Sequence, residues 1–548
     1  MKKLLIMALA LISVSTFAQL DRSKRPEPAA AREIKIGDYE SFTLKNGLKV
    51  IVVENDKLPT VAWTLSINTG PMTEGDKSGL AGMFGQVMRA GTTSKSKEVL
   101  DEEIDFMGAS VNAGATSMSA FSLSKYKEEV LKLMTDVLYN PAFPEDELEK
   151  VKKQIMTSLA SAKDDPNSIS GTISSIVNYG KEHTYGEMTT EETVANITIE
   201  DVRNHYKKYF KPNIAYLVVV GDISKKDAQK LVKKYFSDWK EGDFTPENFV
   251  QPASVTKTNV NIVDKASAVQ SVINITYPVD NKPGSADATK LSVLNQILGG
   301  GSSARLFTNL REDKGYTYGA YSSIGASRYS ATFSANASVR NEVTDSAMVE
   351  FFSEMNRIRT ELVSQEELDL AKNSLRGSFA RSLESRSTVA QFALNTQLNN
   401  LPEDYYATYL KRLDAITVQD VQDMAKKYIR PDKANIVVVG KAEEIAPKLK
   451  QFGPITYYDA DGNVVDPDAM KAAVGSVDAK SVIARYVEAI GGAAKLEAVK
   501  DVKAVITTTV QGQTLTITTM QKGNTMSKQS TGISGMMLQE SIVNNGEV

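Results

Sequence analysis

The chain has 548 residues, no cysteine, and 64 Lys and Arg against 67 Asp and Glu, a formal net charge of −3. That length leaves room for several domains with large cores. The charge balance excludes a basic nucleic-acid surface, and the missing cysteine excludes disulfides, thiolate metal sites, a cysteine nucleophile and a lipidated N-terminal Cys.

Residues 1–18 read as an export signal: Lys2 and Lys3, an apolar run from Leu4 to Val14, then Thr16-Phe17-Ala18. The run is too short to span a bilayer, and cleavage is expected after Ala18. No later apolar run approaches the length of a membrane span, so a soluble periplasmic or cell-envelope protein is expected. Residues 19–35, with Pro26 and Pro28, read as a flexible leader.

Alternation at Phe42 and Leu44, Asn46-Gly47, then Leu48, Val50 and Val52 predicts a hairpin over Tyr39–Glu54. A strand follows over Val61–Asn68, then helices Lys77–Ala90 and Lys97–Met107, each closed by a glycine. Strands are predicted near Ser110–Ala115 and Ser117–Ser124, and helices over Lys127–Tyr139 and Glu145–Ala162. Asp164-Asp165-Pro166 reads as a helix start and not as a metal cluster. Helix Ile199–Phe210, the buried strand Ile214–Val220 and helix Lys225–Phe236 complete the first half.

The chain then repeats itself. Ile197-Thr-Ile-Glu-Asp-Val202 matches Ile416-Thr-Val-Gln-Asp-Val421, Lys207-Lys208-Tyr209 matches Lys426-Lys427-Tyr428, Pro212 matches Pro431, and Val218–Gly221 matches Val437–Gly440, every pair 219 residues apart. Four matches in one register imply a duplicated α+β lobe, over residues 36–240 and 258–450, with 241–257 as a Pro-containing linker. Residues 451–475, with Pro454 and Pro467, read as a second linker. Residues 476–548 read as a partial helix-plus-antiparallel-sheet domain. An amphipathic helix over Ala479–Ile490 ends at Gly491-Gly492, and three Thr-rich strands are expected near Val502–Val510, Thr514–Gln521 and Thr525–Ser530. The pattern is similar to lipoprotein-carrier half-barrels, and the sheet is expected to be truncated at Val548.

Gly299-Gly300-Gly301 breaks an apolar helix. A new helix with Leu306, Phe307 and Leu310 on one side is predicted to end at Lys314-Gly315, and a strand with Tyr316, Tyr318 and Tyr321 follows. Arg311 is thereby placed on the last helical turn and Tyr318 on the strand beside it. A guanidinium and a phenol so held are donors for one peptide carbonyl oxygen, or for the oxyanion that it becomes. Spacing alone leaves the alternative open, and favours it: Arg311 paired with a carboxylate and Tyr318 packed in the sheet. The glycines read first as a helix break permitting close backbone approach, and second as direct substrate contacts. Ser122-Leu-Ser-Lys125 and Ser124-Lys-Tyr-Lys127 match S-x-x-K without the Lys-Thr-Gly a penicillin-binding enzyme needs, and read as chance.

The stretch Gly299–Tyr318 resembles the C-terminal half of the pitrilysin/insulinase-type zinc peptidases, which include the mitochondrial processing peptidase subunits. The resemblance covers about 36–450 and implies two duplicated lobes forming half of a clamshell, with Arg311 and Tyr318 contacting substrate. In the family the first lobe carries Gly-x-Ala-His-x-x-Glu-His before Gly-Thr. Here that run is Gly79-Leu80-Ala81-Gly82-Met83-Phe84-Gly85-Gln86 before Gly91-Thr92. The two His positions hold Gly82 and Gln86, the general-base position holds Gly85, and the later Glu ligand is replaced by Gln154; Glu147 is read as a solvated helix carboxylate. The chain has two histidines, His183 and His205, 22 residues apart, so no H-x-x-E-H helix exists in it.

The resemblance therefore implies an exported substrate-binding subunit of a heteromeric zinc metalloendopeptidase, inactive alone, that takes unfolded peptides. It implies no cofactor in this chain and zinc in a homologous H-x-x-E-H partner. Arg311 and Tyr318 would bind the carbonyl, with Gly299, Gly300 and Gly301 as substrate-binding candidates. The alternative is a non-enzymatic scaffold that keeps the peptidase fold.

Overall fold

The computed structural model describes residues 37–466, 479–510, 513–523 and 525–544. The expected export signal and leader lie outside the described residues. No helix among the described residues is long and apolar enough to cross a membrane. The chain divides into two compact units at Val464/Val465.

The first unit holds two six-stranded sheets. One comprises β1 (Glu40–Thr43), β2 (Lys49–Glu54), β3 (Thr60–Ile67), β4 (Ser110–Gly114), β5 (Ser117–Leu123) and β6 (Ala215–Gly221) in the order β1-β2-β6-β3-β5-β4. The other comprises β7 (Asn259–Asp264), β8 (Gln270–Val279), β9 (Thr317–Ile324), β10 (Ala331–Arg340), β11 (Asn435–Gly440) and β12 (Ile455–Tyr458) in the order β12-β7-β11-β8-β10-β9. From β2 and β7 onward the two orders are the same. In each sheet a parallel pair, β2/β6 or β7/β11, is followed by antiparallel strands. Only the outer strand differs: β1 pairs antiparallel to β2 through the Asn46-Gly47 turn, and β12 lies parallel to β7.

The apolar runs of β6 and β11 are buried on both faces, and the two coverings have different sources. Leu217 and Val219 face the core of the first lobe, whereas Tyr216 and Val218 pack with Val389, Ala390, Ala393 and Leu394 of the helix Arg386–Leu398. Reciprocally, Ile436 and Val438 face the second core, whereas Val437 and Val439 pack with Ile169, Ile173 and Ile176 of the helix Pro166–Tyr179. Each lobe thus lends one helix to the outer face of the other lobe's sheet. The second exchange is also hydrogen-bonded: Asn274 donates to Ser174 at 2.8 Å, Asn178 to Thr276 at 2.9 Å and Asn435 to Asn178 at 3.1 Å.

One sequence expectation needs correction. Residues 451–475 are not a linker throughout, because Ile455 and Tyr457 pack on the second core and β12 extends its sheet. Beyond it, Asp461 pairs with Lys163 at 2.9 Å. Residues 241–256 do lack helix and strand, yet they are pinned. Glu247 accepts from Thr73 N–H and from Lys208, each at 2.9 Å, and Phe249 packs edge-on to His183, whose Nε2 lies 2.9 Å from the Val250 carbonyl.

The second unit holds helices Ala479–Ala489 and Ala493–Ala498 and an antiparallel sheet of β13 (Asp501–Val510), β14 (Gln513–Lys522), β15 (Met526–Ile533) and β16 (Met536–Asn544). The fourth strand, absent from the sequence reading, returns through Ser534-Gly535, both at positive φ (49° and 85°).

Candidate functional site

The helix that would carry a metal site runs Leu80–Met88. Its N-terminus is capped from a distance: the Glu74 carboxylate accepts from the N–H groups of Gly79 and Ala81 at 2.9 and 2.5 Å. Burial pushes Glu74 up, against these two hydrogen bonds. Met83, Phe84, Gly85, Val87 and Met88 face inward, and Gly82 and Gln86 face outward, one turn apart. Around Gly82 there is open space, whereas a Cβ on Gly85 would lie 2.2 Å from the Ala113 carbonyl oxygen on β4. Gln154 is exposed on the helix Glu145–Ala162. Glu147, read as solvated, is instead held between Lys97 and Lys150 at 2.6 Å each, and these two keep its carboxyl below the usual range.

The histidines do not substitute. His205 is buried against Phe84, with ring centroids 4.4 Å apart and its Nε2 2.8 Å from the Ala115 carbonyl, and burial lowers its pKa. Among the described residues no group of three His, Asp or Glu is placed to hold a metal ion. Glycines have no ligand atom in the side chain and amide oxygens are poor zinc ligands, so the residues at these positions do not fit zinc.

The second candidate cluster is built on the turn after Gly299–Gly301. A Cβ on Gly299 would lie 2.3 Å from Ser322 N, and one on Gly300 would lie 2.7 Å from Gln296 Cα; around Gly301 the contacts are ordinary. Gly299 accepts from Ser322 N–H at 2.9 Å, which joins the helix break to β9. Two of the three glycines are therefore required for close packing. The helix Arg305–Phe307 then widens into a π turn over Thr308–Asp313, with Lys314 N–H donating to the Asn309 carbonyl at 3.0 Å. Arg305 anchors it: its Nε and Nη2 donate to the two Glu367 oxygens at 2.7 and 3.1 Å. Burial pushes Glu367 up, but Arg305 and Ser364 outweigh it and hold the carboxyl down at about 2.

Arg311, on this π turn, is half-exposed. Its guanidinium lies 4.8 Å from the Phe307 ring centroid, and Phe307 packs on Tyr321. Among the described residues its carboxylate partner is Glu312, 3.6 Å away and exposed, a weak pairing. Tyr318 does not pack in the sheet, being 89 % exposed. A β-bulge causes this: Ala320 opposes Ala337 and Thr317 opposes Val339, so Tyr318 and Gly319 together oppose Ser338. The Thr317 hydroxyl fixes the bulge by donating to the Ser338 carbonyl at 2.7 Å and accepting from Gly319 N–H at 3.1 Å. A Cβ on Gly319 would lie 2.7 Å from the Tyr321 ring. Tyr318 and Tyr321 line a groove of about 550 Å³ between β8, β9, β10 and the start of the helix Pro166–Tyr179. Arg311 and Tyr318 share no hydrogen bond among the described residues; Arg311 connects toward the groove only through Phe307, which packs on Tyr321. The sequence reading singled out both residues as candidates but not the bulge, the π turn or the Arg305–Glu367 anchor, although Ser364-x-x-Glu367 is a capping-box signal.

The insulinase model of peptidase family M16 matches residues 49–185, and the model of the M16 inactive domain matches residues 196–375. The chain belongs to peptidase family M16. The matched insulinase segment includes Gly82, Gly85, Gln86 and Gln154, so membership in M16 does not bring the ligands with it. An uncharacterised zinc protease, YmxG, of Bacillus subtilis is 24 % identical over 72 % of this chain and 96 % of its own length. A non-peptidase homolog of the same name from Helicobacter pylori is 21 % identical over 72 % of this chain and 92 % of its own. Among solved structures, a peptidase M16 inactive domain from Pseudomonas fluorescens superposes with a TM-score of 0.67 at 24 % identity, covering 74 % of this chain and 98 % of its own. A Helicobacter pylori protease does so with the same TM-score at 20 % identity, over 74 % of this chain and 100 % of its own. These two likenesses bear on the M16 fold alone.

Proposed function

We propose that this M16 chain is an exported, non-catalytic, substrate-binding subunit of a heteromeric zinc metalloendopeptidase acting on unfolded peptides in the periplasm or cell envelope. One observation carries the reading: Tyr318 is raised out of its strand by a bulge onto the wall of a groove, while the former ligand positions hold Gly82, Gln86 and Gln154. A site without metal ligands that keeps an exposed guanidinium and an exposed phenol suits binding and not hydrolysis. In this reading the Arg311 guanidinium and the Tyr318 hydroxyl donate to a peptide carbonyl oxygen, strengthening as charge develops on it. The bond-breaking chemistry belongs to a homologous partner bearing His-x-x-Glu-His and its zinc.

A tagged mature chain isolated from its own cell envelope tests this. A stoichiometric companion with the zinc motif, and peptidase activity only in the pair, is the expected result. Isolation of the chain alone, or with companions lacking that motif, overturns it. The scaffold alternative is favoured by the second unit, whose sheet exposes Val505, Ile506, Leu538 and Ile542 to solvent, and it takes over in that outcome.

A further inference from the structure

The outer face of the second sheet is apolar at Val263, Val272, Val437 and Val439, where isoleucines of the helix Pro166–Tyr179 pack, and turns polar and free of charge toward β10 and β9. Register places Thr276 beside Ser334 and Ser334 beside Ser323 in one row, and Asn274 beside Asn336 and Asn336 beside Tyr321 in the next. The residues between them, Ile273, Ile275, Phe333, Ala335 and Ala337, face the core. The helix Pro166–Tyr179 covers this face over β11 and part of β8, and on β8 and β10 it also meets polar partners. Asn274 donates to Ser174, Asn178 donates to Thr276, and the Tyr179 and Thr332 hydroxyls lie 2.8 Å apart.

The rest is the open groove beside Tyr318. Its lining contains Gln270, Asn336, Ser338 and Tyr321 and no Asp, Glu, Lys, Arg or His. The side chains of Gln270 and Asn336 are exposed and, among the described residues, make no hydrogen bond. Two charges adjoining the lining residues are already engaged: Asp165 accepts from Asn167 N–H, Ser168 N–H and the Ser168 hydroxyl, and Arg340 pairs with Glu342 at 2.9 Å.

We infer that this open groove binds an uncharged, hydroxyl- and amide-bearing segment of the substrate peptide, laid alongside the helix Pro166–Tyr179 as a continuation of the seam between the lobes. Neutral amides and hydroxyls both donate and accept, so they satisfy side chains such as Ser, Thr, Asn and Tyr without a fixed sequence. A charged side chain entering the groove loses water and gains no opposite charge. The inference rests on the peptide-binding reading above, and it selects which part of a peptide this subunit holds.

The test is binding to the mature chain alone, read by fluorescence anisotropy. The probes are short peptides of Ser, Asn, Tyr and Gly with a neutral fluorophore, and versions in which alternate Ser are Glu or Lys. Neutral peptides should bind about tenfold more tightly than either charged version. Asn336→Lys and Gln270→Lys, both at exposed positions, should each shift the preference toward the Glu-bearing peptide. Equal affinity for the three, no binding of any, or indifference to both substitutions overturns the inference. Because no partner is present, a failure here leaves the assignment of Arg311 and Tyr318 intact. Conversely, selective binding together with a pair whose turnover ignores Tyr318→Phe would keep the groove and remove the carbonyl role.

Discussion

Gly85 lies against Ala113 so closely that any side chain at 85 enters the β4 backbone. Gly82 and Gln86, the positions proposed to match metal ligands, are by contrast exposed. The two kinds of position should therefore answer differently to restoration. Gly82→His with Gln86→His and Gln154→Glu should fold with near wild-type stability, since surface changes stay within about 0.5 kcal/mol. That variant should acquire zinc affinity by titration and still fail to hydrolyse peptides. Adding Gly85→Glu should cost about 3 kcal/mol or more through overpacking, seen as a lower denaturation midpoint. A stable, hydrolytic quadruple variant would show that helix Leu80–Met88 moves off β4 easily.

In the reconstituted pair, Arg311→Ala and Tyr318→Phe should each lower turnover by about 100–1,000-fold, the loss typical of one oxyanion donor. Gln86→Ala, outside that arrangement, should leave turnover unchanged. Steady-state kinetics on one peptide substrate decides it, and equal effects at all three positions would remove the assignment.

The bulge gives Thr317 a positioning role. Without its hydroxyl the Ser338 carbonyl and the Gly319 N–H lose a shared partner, and Tyr318 loses its fixed aim. Thr317→Val should lower kcat of the pair by about tenfold or more with KM nearly unchanged, and Thr317→Ser should restore it. A merely structural role would lower stability in the Val variant without the rescue pattern in kcat.

Much of this arrangement was legible in the sequence. Helices Glu145–Ala162 and Lys225–Phe236 run as patterned, and Pro166 opens its helix with Asp165 as the cap. Those signals are local, written in caps and in 3.6-residue spacing. The Val-rich run of β6 announced a buried strand, and the repeat carried that to β11, but neither showed which elements cover the two faces. The choice of helix Pro166–Tyr179 for the opposite lobe is tertiary, set by the hydrogen bonds of Ser174 and Asn178 and by three isoleucines. The π turn under Arg311 and the bulge under Tyr318 add one residue to a regular pattern, and no residue type marks that. Ile455–Tyr458 was hidden for another reason: four residues between a Gly-Pro and an Asp-rich turn look like a connection until β7 offers them an edge.

The Arg305–Glu367 anchor makes a pH prediction with a definite sign. Glu367 has a folded pKa of about 2, below its ordinary 4.5. Its contribution is therefore present above about pH 4.5 and is lost as pH falls toward about pH 2. Between those limits the wild type should lose more stability than Glu367→Gln, measured by urea midpoints. Arg305→Ala should cost about 2 kcal/mol at neutral pH, less than a fully buried pair because the Glu367 side chain is 33 % exposed. It should also lower turnover of the pair, since the π turn that bears Arg311 loses its tether.

Asn178 joins three elements at once: it donates to Thr276 on β8, accepts from Asn435 on β11, and sits on a helix from the other lobe. It is 5 % exposed, so water does not replace a lost partner. Asn178→Ala should cost about 1–2 kcal/mol, and Asn178→Asp more at neutral pH, because it sets a charge against two neutral partners, Thr276 and Asn435. The Asp variant should recover part of that loss on acidification as the carboxyl protonates, a reversal that the Ala variant will not share. Hydrogen exchange should then localise the loss to the helix Pro166–Tyr179. Loosening confined to Arg386–Leu398 instead would mean that the apolar exchange, and not the hydrogen-bonded one, holds the two lobes in register.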